Sequence, residues 1–438
     1  MTLYNIILGN SNEPNICLDE NTAKTFGIVD NERIFISYGK RKTEAVVNIK
    51  TLSDRYTIQL SDCIIQKLLV DTIVKYEILF KNKELIIGPL IGILLGKHER
   101  KLKENLERYL VYTLAYKQIN GVLFVFSEDQ MDFTNDKITG YVFDPETHNN
   151  WRRVVLPFPG AIFRRIELSR TTFQALSSKM GKSFFNSSYF DKWEFWNLLS
   201  QNKELRGYLP ETTKKINKES LDTFLKKYNG VYLKPKSGSR GKGIHYIEKK
   251  DHYYQMIKNY DDEIRCMSET EMIKFLSNHS YYLLQQPIRL HAFEDRKVDY
   301  RVILQKNETG FWQCTGMIAR FGKTHAISSN FKASGFAKEA VEALKMQFGY
   351  DELKAFQKYQ EIIRVCCKLA FHIEKDVGAY ADFGIDIGID EQEKIWIIEI
   401  NKRHDHDFPL MIKDRKMYYH VKSNPILYAK HVAMSSLS

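Results

Sequence analysis

Two stretches of this 438-residue chain hold residue types at spacings that could do chemistry. In GIDIGIDEQEKIWIIEINKR, residues 384–403, Asp386 lies on one apolar strand pattern and Glu399 and Asn401 lie two apart on the next. A period of two places Glu399 and Asn401 on one sheet face, and the hairpin brings Asp386 opposite them. Two carboxylates and an amide oxygen form a hard-oxygen set suited to magnesium, or manganese in its place, with positions left for phosphates and water. The alternative is a solvated polar hairpin face. The apolar flanks argue against that, since an acid inside such a run needs a partner to offset desolvation.

The second stretch is VYLKPKSGSRGKGI, residues 231–244, a short strand followed by a glycine loop with bases. Lys236 and Gly243 stand where a P-loop needs glycine and Ser or Thr, and Tyr246 stands where a dinucleotide fingerprint starting at Gly241 needs glycine. A second strand pattern, GIHYIEK, follows the loop, so the arrangement is strand, loop, strand. Both rejected templates place phosphate at a helix N-terminus; this loop would instead fold over its ligand as a hairpin flap. Glycines permit positive φ and close backbone approach there. Lys234, at a strand end beside the loop, is a candidate phosphate contact.

The elements that must position these groups follow from periodicity. Residues 1–82 alternate short β patterns (RIFISY, TEAVVNIK, YTIQL, KYEILF) with one helical piece after Ser61, which predicts a small β-rich module. Residues 83–185 change to strand, helix, strand: LIIGPLIGILL, a charged helix over 98–117, then GVLFVFS and GYVFD. That order predicts an α/β layer. Helices are expected at 171–181, 190–201 and from Ser220, the candidate cap, to Gly230, the candidate terminator. Beyond, YYLLQQPIRL, DYRVILQK and WQCTGMIARFG read as strands and 336–374 as helical.

Composition narrows the function classes. The chain is 43% apolar with 13% aromatic residues, as globular proteins are, and no run approaches the roughly 18 apolar residues of a membrane span. The N-terminus lacks a signal-peptide pattern, so a cytoplasmic location is expected. Six cysteines without a CxxC pair are expected to be reduced thiols. The net charge of +11 is spread among acids, which argues for a solvated surface over a nucleic-acid stripe. No membrane partner is expected. His404 and His406 form an HxH pair that invites a transition-metal reading, while Asp405 and Asp407 beside them favour an exposed polar loop.

Taken in order, Lys192 in FDKWEFW, Lys234 in VYLKP, the loop SGSRGKG, LLQQPI, DYRV, ARFG, SNFKASG, GID and EIN resemble the pattern of ATP-grasp enzymes. IGPLIGILL, FPGAIFRRIE, FFNSSYFDKWE, YLPET and DYRVILQKNETGFWQCTGMIARFGK resemble one branch, the YheC/YheD family associated with bacterial endospore coats. The resemblance covers nearly the whole chain. It implies an α+β fold in which two subdomains, a lid of about 210–290 and a base of about 290–438 within a 186–438 domain, clamp ATP with magnesium. Lys192 and Lys234 would reach the α- and β-phosphates, a surface lysine being the alternative for each, and Ser237, Gly238, Ser239, Gly241 and Gly243 would form the flap, a flexible hairpin tip being the alternative. Gln286, Pro287 and Ile288 would line the adenine slot. Arg301 and Arg320 would clamp the γ-phosphate and the acyl phosphate that forms, supported by Asn330, and Arg403 would hold a substrate carboxylate. A structural ion pair with Asp299 or another acid stands as the alternative for the two buried-type arginines, and a solvated side chain for Arg403. Ser334 departs from an expected glycine, and the histidines depart from an expected proline. The implied function is ATP-dependent ligation of a small-molecule or peptide carboxylate to an amine or another nucleophile, with spore association. The rival is a non-catalytic nucleotide-binding or coat-structural protein that kept the fold.

Overall fold

The computed structural model describes residues 2–11, 13–52, 54–238, 242–258, 264–324 and 335–435. Four sheets organise it. The first has seven strands, and an antiparallel bridge between Tyr4 and Tyr76 links the residues just before its two edge strands, Asn5–Gly9 and Glu77–Lys81. The expected boundary at 82 is corrected: strand Glu84–Gly88 pairs with Arg33–Tyr38 and Glu77–Lys81, so this sheet extends to 88. The run that reads as one strand in sequence is cut at Pro89, which has no N–H to donate to a ladder. Its second half, Leu90–Gly96, opens the second sheet.

In that sheet Leu90–Gly96 runs parallel to Val122–Ser127 and Ala161–Arg164. These three strands are buried along both faces over nearly their whole length, which is why they read as unbroken apolar runs. The single helix expected over 98–117 is instead a set of short pieces, Glu99–Glu104, Leu106–Tyr109, Leu110–Tyr112 and Tyr116–Ile119, broken at Asn105 and Thr113.

The third sheet is antiparallel throughout and carries the flap hairpin, Val231–Pro235 with His245–Lys250. Helix Lys218–Tyr228 packs on it. Its cap is Asn217, not Ser220: the Asn217 side chain accepts from the Ser220 N–H at 2.9 Å. Asn229, with φ 59°, ends the helix in place of Gly230. Gly230 is small for another reason, since a Cβ there would lie 2.2 Å from the Tyr246 hydroxyl.

The fourth sheet orders Phe336–Glu339, Trp312–Thr324, Arg296–Lys306, Asp382–Ile389 and Ile395–Asn401, all antiparallel. The expected helical region from 336 begins with the strand Phe336–Glu339 and then forms helices Ala340–Phe348 and Glu352–Asp376, separated at Gly349. The last helix, Arg415–Ser435, packs its Ile426, Tyr428, Ala429 and Ala433 into the core of the second sheet. Its Val421 packs with Ile303 and Ile318, so the helix ties the fourth sheet to the second. Among the described residues no helix is long and apolar enough to cross a membrane.

Candidate active site

The site is a ladder across three strands of the fourth sheet. Glu399 lies opposite Asp386, and Asp386 lies opposite Arg301. Directly opposed residues share a face, so the three side chains stand in a row. A register irregularity follows Asp386, beside Ile398, and Asn401 pairs with Gly384 one step along. Asp299 and Arg320 are likewise opposed on the neighbouring strands.

These charges are paired with one another. Arg301 forks onto Asp386, Nε to Oδ1 at 2.6 Å and Nη2 to Oδ2 at 3.0 Å. Arg320 forks onto Asp299 at 2.8 and 2.5 Å and also reaches Asp386 at 3.0 Å. Asn401 Nδ2 lies 3.4 Å from Asp386. Burial alone would raise the Asp386 carboxyl, but Arg301 and Arg320 outweigh it and hold it below its usual range. The internal ion pair, the alternative for both arginines, is the arrangement present, with Asp299 the forked partner of Arg320 and Asp386 that of Arg301. Beneath them lies Phe408, whose ring centroid is 4.5 Å from the Arg301 guanidinium and 5.5 Å from that of Arg320.

Two lysines approach this row, Lys234 from the third sheet and Lys192 from a helix that starts beside the flap. Lys192 begins helix Lys192–Ser200, which is capped by Asp191 and Glu194 in a reciprocal box. Its Nζ donates to the Gly238 carbonyl at 2.8 Å and stands 3.7 Å from Glu399, and its backbone N–H donates to Lys236 O at 3.0 Å. The helix start, the flap and the carboxylate strand thus meet at one residue. Lys234 Nζ donates to Gln285 Oε1 at 2.5 Å. Burial pushes Lys234 down to about 8, partly opposed by Glu399. In the flap, Gly238 and Gly243 have φ of 119° and 73°, the conformations that side chains resist. Ser237 is exposed beside them, and Ser239, Gly241, Asn330 and Ser334 lie outside the described residues.

Gln286, Pro287 and Ile288 follow strand Tyr282–Gln285 and are half-buried. The backbone N–H of Gln286 donates to Glu211 O at 2.8 Å, and Glu211 N donates back to the Gln286 side chain. Arg403 is exposed on the loop after the carboxylate strand.

Sequence reasoning missed Lys402. Its ammonium donates to the Phe190 carbonyl and lies 4.0 Å from the Phe190 ring centroid, and burial pushes it down to about 8. Strand alternation had placed it off the Glu399–Asn401 face, so it drew no role. The histidine pair was also misread: His404 and His406 are 3% and 1% exposed, not on a solvated loop. Each presents Nε2 to a different oxygen of the buried Asp382 at 2.8 Å. Gln305 Nε2 donates to the same carboxylate at 2.8 Å and Arg165 Nη1 at 3.2 Å. Burial would raise the Asp382 carboxyl, but the histidines outweigh it and hold it well below its usual range. The trio has the residue types of a metal centre. Charge decides otherwise, because Arg165 also lies 3.3 Å from His406 Nε2 and a divalent ion would sit against a buried guanidinium. Asp382 shares the strand face of Asp386, two steps away; that period was the available signal.

Between the two acids lies Gly384. A Cβ there would meet His404 Cβ at 2.5 Å and Cγ at 2.7 Å, and Arg301 Cδ at 3.3 Å. Gly384→Ala is expected to lose about 1–3 kcal/mol by overpacking, measured by urea denaturation; an unchanged midpoint would refute the close packing.

With this geometry established, residues 181–432 match the family described as YheC/D like ATP-grasp, more than half of the chain. The chain belongs to the YheC/D-like ATP-grasp family. Its fold is therefore the α+β ATP-grasp fold, and membership supports a ligase-type function. Among curated proteins it is 25% identical to the endospore coat-associated protein YheD of Bacillus subtilis (strain 168), over 79% of each chain. It is 24% identical to YheC of the same organism, over 49% of this chain and 59% of that one. Solved structures it resembles include ATP-grasp ligase PsnB complexed with precursor peptide PsnA2 and AMPPNP, at 12% identity and TM-score 0.44 over 78% of this chain and 99% of that one. Another is D-alanyl-alanine synthetase A from Vibrio cholerae O1 biovar eltor str. N16961, at 11% and 0.45 over 79% and 98%. Likenesses this distant carry nothing about the site.

Proposed function

We propose that this family member is an ADP-forming ATP-grasp ligase that joins a small-molecule or peptide carboxylate to an amine or another nucleophile. The observation that carries the reading is the ladder Glu399–Asp386–Arg301 with Lys192 beside Glu399 and Lys234 under its influence. Oxygen donors and cations stand side by side, Arg301 and Arg320 at Asp386 and Lys192 at Glu399, the two kinds of group a metal-bound polyphosphate requires. Asp386, Glu399 and the Asn401 side-chain oxygen suit magnesium by their chemistry, and Arg301 and Arg320 suit the transferring phosphoryl group. Magnesium, when bound, would neutralise phosphate charge as phosphorus–oxygen bonds exchange.

Phosphoryl transfer to the substrate carboxylate would break the bond between the γ-phosphorus and its bridging oxygen, releasing ADP and leaving an acyl phosphate. Attack of a neutral amine on its carbonyl carbon then releases phosphate, and the nitrogen sheds a proton as the amide forms. Lys192 and Lys234 would hold the α- and β-phosphates, Gly238 and Gly243 would let the flap backbone close over them, and Arg403 would meet the substrate carboxylate. The closed flap would exclude water that would otherwise hydrolyse the acyl phosphate. Gln286, Pro287 and Ile288 are the proposed adenine contacts. We place the reaction in the cytoplasm, with spore-coat association suggested by the relatives' names.

A non-catalytic nucleotide-binding role is favoured by one observation, that Asp386 already has two arginine partners. The deciding experiment is mass spectrometry of products formed from ATP, Mg²⁺ and cell extract. The ligase reading expects ADP, phosphate and a product whose mass is the sum of two substrates less water. ADP formation at background would overturn it.

Lys234 makes nucleotide affinity depend on pH in a defined direction. Phosphate favours its ammonium form, whereas the ligand-free protein loses that proton near pH 8. Below about 8 the affinity for ADP is flat; above it, binding must take up a proton and weakens by up to about tenfold per pH unit until the ordinary lysine value is reached. Calorimetry at pH 9 in buffers of different ionisation enthalpy reads this uptake. No uptake and a constant affinity from pH 7 to 9.5 would remove Lys234 from the phosphate site. Without ligand the sign reverses for stability: the unfolded chain binds the extra proton in that window, so stability rises with pH across it.

A further inference from the structure

Three of the four cations proposed to hold phosphate, Arg301, Arg320 and Lys192, are already in contact with a carboxylate proposed for the metal. Asp386, a proposed metal ligand, has both oxygens in the Arg301 fork and a third contact from Arg320. Glu399, the second proposed ligand, faces Lys192 at 3.7 Å. Asp386, Arg301 and Arg320 are each 6% exposed, so water can do little to replace a lost partner.

We propose that the resting site is a set of internal ion pairs, and that nucleotide and divalent cation bind by exchanging those pairs together. This deepens, and rests on, the nucleotide-and-magnesium reading above. Phosphate taking Arg301 alone would leave Asp386 buried with less counter-charge. A cation taking Asp386 alone would push Arg301 and Arg320 against a second positive group. Each ligand by itself therefore meets a cost that the other removes: carboxylates pass to the cation while guanidinium and ammonium groups pass to phosphate. Such coupling is reciprocal by thermodynamic necessity.

The two arginines are not equivalent in this exchange. Arg320 keeps its own fork on Asp299 at 2.8 and 2.5 Å when Asp386 is withdrawn, so it is an anchored charge. Among the described residues Arg301 is forked on Asp386 alone, and it is the group that changes partner. Its path is confined by Phe408, which lies against it, and by His404 packed on Gly384. Lys192 is the corresponding group beside the flap; when Glu399 turns to a cation, its bond to Gly238 O still ties it to the flap.

Calorimetric titration of the full chain with ADP, in excess Mg²⁺ and in EDTA, tests this. Wild type is expected to bind ADP at least about fivefold more tightly with Mg²⁺, the lower end of ordinary site coupling. The distinguishing result is the behaviour of Asp386→Asn in EDTA. Loss of a metal ligand would ordinarily leave metal-free affinity unchanged; here ADP is expected to bind more tightly than to wild type, because Arg301 is released to it, and the Mg²⁺ effect shrinks. Glu399→Gln, at a half-exposed position, is expected to shift in the same direction through Lys192 and serves if the first variant fails to fold. Folded variants with unchanged or weaker affinity in EDTA would overturn the exchange while leaving nucleotide binding standing. Wild type that binds no ADP in either condition would overturn both.

Discussion

Glu399→Ala is expected to lower ADP formation by about 10²–10³-fold while the protein stays folded. Glu399 is half-exposed at the end of an edge strand, so truncation removes a charge without opening the core. What it removes is the carboxylate beside both Asp386 and Lys192. Losing one preorganised electrostatic contact to a transferring group typically costs about that factor. The assay is ADP release across a panel of amino acids and peptides, with circular dichroism confirming the fold. Equal, background rates for wild type and variant would end the enzyme reading and leave a fold retained for binding.

Arg165→Met is expected to destabilise the protein by about 3–5 kcal/mol, towards the lower figure, by stripping a guanidinium from a buried carboxylate. Asp382 is fully buried, and Gln305, His404 and His406 would still donate to it, which sets the lower figure. Arg165 belongs to the second sheet's segment, and its Nη2 also donates to His404 O at 2.8 Å. The same contact therefore joins that layer to the loop carrying Arg403 and Phe408. Denaturant unfolding measures the loss. Arg165→Met together with Asp382→Asn should recover part of it, because the uncompensated charge is gone. A single variant as stable as wild type would show that Gln305 and the histidines satisfy Asp382 without Arg165.

The ATP-grasp pattern was legible because its parts are local. A strand, a glycine loop and a strand announce a flap; an acid four residues from the next turn and an acid–x–amide on the returning strand announce a hairpin with donors on one face. The structure keeps both hairpins and opposes Asp386 to Glu399 as the period requires. Elements whose ends depend on neighbours were read less well. The strand run over 85–96 divides between two sheets, and the helix from 218 takes its cap from Asn217 because that side chain reaches the free N–H first.

The sequence by itself determined the residue inventory: which side chains are hard-oxygen donors, which are fixed cations, which glycines allow a flap, and in what order they come. Pairing lay beyond it. Arg301 meets Asp386 across 85 residues, and Arg165 meets Asp382 across 217. Contacts of that separation depend on strand order and sheet stacking, which alternation along one strand does not encode. The histidines show the same limit: HDHD looks solvated read along the chain, and only a neighbouring strand and layer supply the carboxylate and guanidinium that bury it. Burial then sets the chemistry, since Lys234, pushed down to about 8, is an ordinary lysine until the fold buries it.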